Sequence, residues 1–592
     1  MSVWRRAIML AIAAAIFLFS WLYRFNDPGG SFAGLTDDHF FYLARGWQIL
    51  FGDLPVRDFV DHGAPLYYYV GAAVQALFGR GTLSEVAFSV TVLALCAALT
   101  FWLCSEASGW IAAGLAGAAF HILLEPRFYN YPKILVYVLA IPLLWRFIER
   151  PSSRLAAWIA VVTVVGFLLR HDHGVFVGIA MAVSLVMVYR RAARAEWLKQ
   201  AAVYAGVAGL LILPYLAFIE FNGGVVSYFQ QASAWAERDR DRAPIVWPGL
   251  FENPDGVSAE AREGSWFGRG VGTVRDNIVA WTFYAELILP VLALACLWLT
   301  RDGFRPSWPR AREKLAMVAV LALVLDAGFL RSPLAARLAD PSVPLAILVA
   351  WLVTVLPRLV IGGSGWRPLP RGAAVAVHAI LLCVAAPVAF TIAAGLTHDF
   401  YRRLDKAALT ERWGKSIERV GTVSAQIRLD WHLSSWLNRP TRPELIDLAM
   451  YVNACTTPAD RILVQAYIPQ VLALAQRAFA GGHADLRPGF FRTEEAQRLT
   501  LARLRSRSVP IVLLESGEPL KNFRKSFPLI VSYLDAEYRE AGTRVFDNRF
   551  GTTLLVRKDL TPSGVYAPFG WPCFGSGVVG DASTLRSDRP ST

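Results

Sequence analysis

With 592 residues, of which 55% are hydrophobic and 18% charged, and a mean hydropathy of +0.40, the chain is too apolar for a soluble multi-domain protein and too long for a simple anchor. Its formal charge of +13 and pI near 9.6 would suit a nucleic-acid partner, but the Arg and Lys residues fall in short clusters between apolar runs, a topology signal that argues against nucleic acid. The numbers describe an α-helical polytopic membrane protein with soluble parts.

In chain order, residues 7–23 form the first apolar run, preceded by Arg5 and Arg6. No small-x-small cleavage site follows Phe19, where the chain reads SWLYRF, so the run reads as a retained signal anchor with a cytoplasmic N-terminus. The first outer loop, residues 25–83, then carries Asp37, Asp38, His39, Asp53, Asp58, Asp61 and His62. An unpaired carboxylate in hydrocarbon costs about 2.5–3.5 kcal/mol even on lenient insertion scales, so acids beside a bundle are expected to line a site. Within this loop Pro65–Phe78, PLYYYVGAAVQALF, is short for a span and rich in Tyr, which suits a helix lying at the interface.

Further spans are predicted at 84–103, 110–124, 134–147, 155–169, 175–189 and 201–219. A long polar outer loop, residues 220–277, follows, with the run Arg238 to Arg242 read as a solvated stretch that could meet anionic headgroups. Spans resume at 278–299, 315–330, 344–356 and 373–396, for a total of about eleven at roughly 20 residues each. Under this alternation the basic clusters at Arg146, Arg190, Arg301 and Arg358 share one side, as the positive-inside rule requires; one missed span would invert every later loop. His121 and His378, alone on apolar segments, read as packed core histidines, and Glu286 and Asp326 as buried, structurally paired acids.

Residues 1–396 thus make a membrane domain, and 397–560 a domain of different composition outside the membrane. Short aliphatic runs at 462–465, 510–515 and 552–556 read as strands, with helical periodicity at 493–507 and 523–540 between them, the alternation of a small α/β layer domain. The tail, 561–592, is rich in Gly, Pro and Ser and is expected to be poorly ordered. Cys96, Cys104, Cys296 and Cys383 read as small core hydrophobes; Cys455 and Cys573 have no metal-type spacing, and nothing in the sequence decides whether they pair.

Sorted by side, the outer face collects Asp37, Asp38 and His39, then Glu125, Arg127, Tyr129, Tyr131 and Lys133, then Arg170, His171, Asp172 and His173, and finally Arg331, Arg337 and Asp340. The inner face receives little besides Arg and Lys. A reaction centre on such a chain faces away from the cytoplasm, where nucleotide-activated substrates are absent.

The pattern Asp37-Asp38, Phe41, Ala44, Gly52, Pro55, Asp58-Phe59, Pro65-Leu66-Tyr67 resembles the first outer loop of bacterial GT-C glycosyltransferases, multi-pass enzymes related to protein O-mannosyltransferases and lipid A aminoarabinose transferases. In those enzymes an acidic pair, commonly Asp-Glu, follows the first span and is trailed by an aromatic, an alanine and a Gly-x-x-Pro turn before a Pro-Leu-x-Tyr interfacial helix. This chain departs from the pattern at Asp38, where Glu is common, and at Phe41, where Tyr is usual. The resemblance covers the first half of the chain well and the C-terminal domain only in general plan.

The resemblance implies a GT-C membrane fold in the bacterial cytoplasmic membrane and transfer, usually inverting, of a sugar from a polyprenyl-phosphate carrier to a lipid, glycan or protein acceptor on the outer face. A carboxylate must accept the proton of the attacking hydroxyl, and the leaving phosphate needs cations. By position Asp37 matches the catalytic acid, with Asp38 beside it; Lys133, Arg170 and Arg331 are candidates for the carrier phosphate, against snorkelling to headgroups for Lys133 and Arg331. His39, Tyr131, Asp172 and His173 are candidates for the substrate pocket. The resemblance implies no cofactor, but His173 and Asp172 with Asp37 or Asp38 could offer a mixed ligand set to Mg, Mn or Ca; the plainer reading pairs Asp172 with Arg170. Two other classes compete: a transporter or flippase for a lipid-linked saccharide, which calls for ionisable residues near the bilayer midplane, and a non-catalytic envelope assembly protein, for which eleven spans are extravagant.

Overall fold

The computed structural model describes residues 3–26, 37–190, 194–242, 278–299, 308–330, 337–360, 401–411, 413–429, 443–488, 490–547 and 550–575. Arg331, His378, Cys383, the predicted span 373–396 and most of the predicted tail lie outside these residues, as does the side chain of Asp37. The chain divides into two compact units: Met1–Ser31, Val86–Ala217 and Asp239–Val423 form one, and Phe32–Glu85, Phe218–Arg238 and Ser424–Thr592 the other.

The first unit is helical. Each predicted span before 373–396 falls on a helix: Val3–Asn26, Thr82–Ser108, Ile111–Leu123, Tyr131–Glu149, Ser153–Leu169, His171–Tyr189, Arg194–Gly223, Ile278–Leu299, Ala311–Leu330 and Ser342–Val360. Among the described residues five helical stretches are long and apolar enough to cross a membrane: Val3–Asn26, Thr82–Ser108, Phe128–Glu149, His171–Tyr189 and Arg194–Gly223. Small residues set how closely the helices pack, as in bundles without a water-driven hydrophobic force. A Cβ on Gly174 would meet the Phe167 backbone at 2.5 Å, so only glycine lets His171–Tyr189 lie so close to Ser153–Leu169. Arg170, extended at φ −169°, is the single residue between those two helices, and Ser152 caps the first by accepting from the Leu155 N–H at 3.3 Å.

The second unit carries a five-stranded sheet. Its strands are β1 (Arg461–Val464), β2 (Ala478–Phe479), β3 (Ile511–Glu515), β4 (Tyr538–Asp547) and β5 (Phe550–Arg557), in the order β2-β1-β3-β5-β4. β1 is parallel to both β2 and β3, whereas β5 runs antiparallel to β3 and β4. Leu463, Val512, Leu514 and Leu555 pack on Leu501 and Leu504 of helix Glu494–Arg505 and on Phe523, Phe527, Ile530 and Leu534 of the helices Glu518–Ser526 and Pro528–Glu537.

Four expectations are corrected. The helix predicted over 523–540 is two helices broken at Phe527 by Pro528, and the chain turns extended at Tyr538. The supposed tail begins with a hairpin, β6 (Gly564–Tyr566) and β7 (Trp571–Cys573), joined to helix Pro443–Cys455 by a Cys455–Cys573 disulfide. Part of the predicted 220–277 loop is the helix Val225–Arg242. The first outer loop, assigned by sequence to the membrane domain, packs instead within the α/β unit: helix Asp37–Leu50, a turn through Gly52, and helix Pro65–Phe78.

Asp53 fastens that loop. Its carboxylate accepts from Gln48 Nε2 at 2.7 Å, from Arg507 at 3.1 Å and from both terminal nitrogens of Arg461 on β1, one of them at 3.0 Å. Gln48 also brackets β2, donating to the Phe479 carbonyl at 3.1 Å and accepting from the Phe479 N–H at 3.0 Å. The Val60 N–H donates to the Gly482 carbonyl at 3.0 Å.

Candidate active site

The acidic pair opens helix Asp37–Leu50. Spacings of three and seven residues put Asp38, Phe41 and Arg45 on one stripe of that helix. The stripe meets the segment that follows the carboxyl end of β1, which lies parallel to β2 and β3; open α/β sheets hold ligands outside the carboxyl ends of such strands. Tyr467, three residues past β1, donates its hydroxyl to Asp38 Oδ1 at 2.5 Å.

Cations surround this pair. The Arg487 guanidinium lies 4.1 Å from the Tyr467 ring centroid and its Nε donates to Asp485 at 2.5 Å. Arg45 is 1% exposed and lies 3.2 Å above the Phe41 ring. It donates to the Phe41 carbonyl at 3.2 Å, and its Nε has no partner among the described residues. The His62 ring sits 5.3 Å from Phe41. Burial, reinforced by Arg45, His483 and Arg487, pushes the His62 pKa well below the usual histidine range, so this ring is neutral. Burial and Asp38 together raise the Tyr467 phenol, which keeps it a donor. Asp61 is spent on structure: it accepts from the N–H groups of Gly63 and Ala64 at 2.9 and 3.0 Å and from the Tyr228 hydroxyl at 2.9 Å. The cluster can hold one carboxylate in a fixed orientation among donors and cations, the requirement for accepting a proton beside an anionic substrate.

The first unit holds a second polar cluster. Lys133 Nζ pairs with Asp340 Oδ2 at 2.8 Å, both side chains being largely buried, so this lysine neither snorkels nor lies free. Arg170 Nε lies 3.0 Å from Asp172 Oδ1, the pairing the plainer reading expects. His173 Nδ1 is bonded to the Tyr137 hydroxyl, and its Nε2 is 3.6 Å from Asp172. Glu286 and Asp326 depart from the expectation of structural pairing: they are 2% and 1% exposed, and among the described residues none of their four carboxyl oxygens has a partner.

The other predicted residues are placed as follows. His39 is wholly buried with its Nε2 3.1 Å from Glu85, and Tyr131 is 2% exposed with its ring edge-on to Phe88 at 5.3 Å; neither lines an open pocket. Among the described residues no three His, Cys, Asp or Glu side chains gather in a way that could hold a metal. Tyr467, Arg487 and Asp485 were missed because nothing local marks them; Arg45 was missed too, although its place seven residues after Asp38 on the same helical stripe could have marked it.

Fold and site together define a helical membrane protein whose α/β unit carries a half-buried carboxylate–phenol–guanidinium cluster between its first loop and the segments after β1 and β2. No family model matches the chain, and no curated protein does. Among solved structures it is similar to ArnT from Cupriavidus metallidurans bound to undecaprenyl phosphate, at 14% identity and TM-score 0.44 over 94% of this chain and 98% of that one. It is also similar to ArnT from Cupriavidus metallidurans in the apo state, at 14% identity and TM-score 0.41 over 93% and 97%. Likenesses this loose carry no argument about site or substrate.

Proposed function

We propose that the protein is a GT-C type glycosyltransferase of the bacterial cytoplasmic membrane, moving a sugar from a polyprenyl-phosphate carrier to an acceptor on the extracytoplasmic face with inversion. The observation that carries the reading is the Asp38–Tyr467 bond of 2.5 Å, set among Arg45 and Arg487 on the loop whose residues resemble that family. Asp38, held by the phenol, is the fixed member of the acidic pair; Asp37, the first residue of the same helix, is the general base. Arg170 and Arg331 serve the carrier phosphate, arginine offering the better fork, while Lys133 is spent on Asp340. The Cys455–Cys573 disulfide supports an oxidising, extracytoplasmic setting for the α/β unit.

The test is incubation of the purified protein with a panel of polyprenyl-phosphate sugars and membrane extract, following release of the polyprenyl phosphate. The proposal expects release with at least one donor; a folded protein inert to every donor defeats it. Glu286 and Asp326 favour a second reading, a transporter for a lipid-linked saccharide, because unpartnered acids inside helices of a membrane unit are its hallmark. Protein in vesicles that moves the saccharide across the bilayer without cleaving it would sustain that reading instead.

A further inference from the structure

The α/β unit contains a cleft of about 1300 Å³ that the reaction described so far does not use. Its walls include Gln231 of helix Val225–Arg242, the turn bearing Phe490, Phe491 and Arg492, and Asn522 and Lys525 of helix Glu518–Ser526. One wall is shared with the Asp38 cluster. Phe490 lies 5.8 Å from the Arg487 guanidinium that covers Tyr467, and Phe491 packs 4.6 Å from His483 and 6.3 Å from His62. Phe491 stands at φ +54°, a conformation a bulky residue adopts only when its surroundings enforce it, and such strain gathers at ligand-holding positions.

The lining has a definite chemistry. Aromatic faces stack on the C–H face of a sugar ring, and side-chain amides offer the paired donor and acceptor that ring hydroxyls take. The charge is mainly positive. Of the charged residues in the lining, Glu494 is bonded to Arg498, whereas Arg492 and Lys525 are exposed and form no ion pair among the described residues. An acyl tail or a neutral glycan would leave the two cations idle.

We infer that this cleft is the acceptor subsite and that it takes an anionic oligosaccharide, with the half-buried Phe491, backed by the buried Phe490, against a ring and Arg492 and Lys525 on its carboxylate or phosphate groups. The inference rests on the proposed transfer reaction and adds the class of acceptor.

The experiment uses the full chain in lipid nanodiscs and two probes of equal length, a uronic-acid oligosaccharide and a neutral malto-oligosaccharide. The wild type should bind the acidic probe about tenfold or more tighter than the neutral one, and the double variant Arg492→Gln, Lys525→Gln should lose that preference while its affinity for the neutral probe stays put. Cleavage of a polyprenyl-phosphate sugar with water as acceptor should be the same in variant and wild type. Equal binding of the two probes by the wild type, failure of the acidic probe to bind, or a preference that survives the double substitution would overturn the inference. Binding as expected with no donor cleavage would overturn the transfer reading and leave the anionic-glycan cleft standing.

Discussion

Asp38 shows how surroundings set a single side chain apart. A surface aspartate at the start of a helix is ordinary, since acids there favour the helix dipole. This one is tied to a half-buried phenol whose ring the Arg487 guanidinium covers, while Arg45 on the same helical stripe covers Phe41. His483, behind Phe491, allows a test at the same scale. Burial first, then Arg503 and Arg45, hold its pKa down to about 3 against 6.5 for a free histidine, while its Nε2 lies 3.0 Å from Thr500 Oγ1. The folded ring stays neutral where the unfolded one protonates, so its stabilising contribution is fully present above about pH 6.5 and drains away as the pH falls toward 3. His62, depressed in the same direction, adds to the trend. The melting temperature should therefore fall between neutral pH and pH 4 more steeply in the wild type than in His483→Gln; parallel slopes would contradict this. The sequence displays Asp37, Asp38 and Arg45 within nine positions, but it gives no sign of Tyr467, because a residue four hundred positions away is brought in by the sheet alone.

At the scale of elements, the attachment of the first loop turns on Asp53, whose carboxylate sits 5% exposed between Arg461 and Arg507. Removing one partner of a buried ion pair leaves the other charge uncompensated and costs about 3–5 kcal/mol. Asp53→Ala should lower the denaturation midpoint accordingly and speed proteolysis between Gly52 and Pro65; a shift under about 1 kcal/mol, the size of an exposed pair, would show the fastening to be incidental. Helix Pro65–Phe78 was legible to the residue, since Pro sits at its first turn and Gly79, at φ +95°, ends it. β1, β3 and β5 were legible as buried aliphatic runs. β4 was not: YREAGTRVFD is a polar edge strand, which lacks the apolar alternation that marks a half-buried one. The β6–β7 hairpin was hidden because a disulfide rather than an apolar pattern secures it, and sequence spacing does not reveal pairing.

For the molecule as a whole, hydropathy and the arginine clusters sufficed to place the helices of the first unit, because a bilayer admits few backbone solutions. They did not reveal that the first loop belongs with the C-terminal sheet, since that depends on ion pairs such as Asp53–Arg461 between residues remote in sequence. The central claim is that the acidic pair opening this loop performs the chemistry. It is tested most directly by the rate at which purified Asp37→Asn releases polyprenyl phosphate from a donor the wild type cleaves, at matched expression and melting temperature. A general base contributes about 10²–10⁴-fold, so the account predicts a loss of that size, whereas a variant within about twofold of the wild type would contradict it.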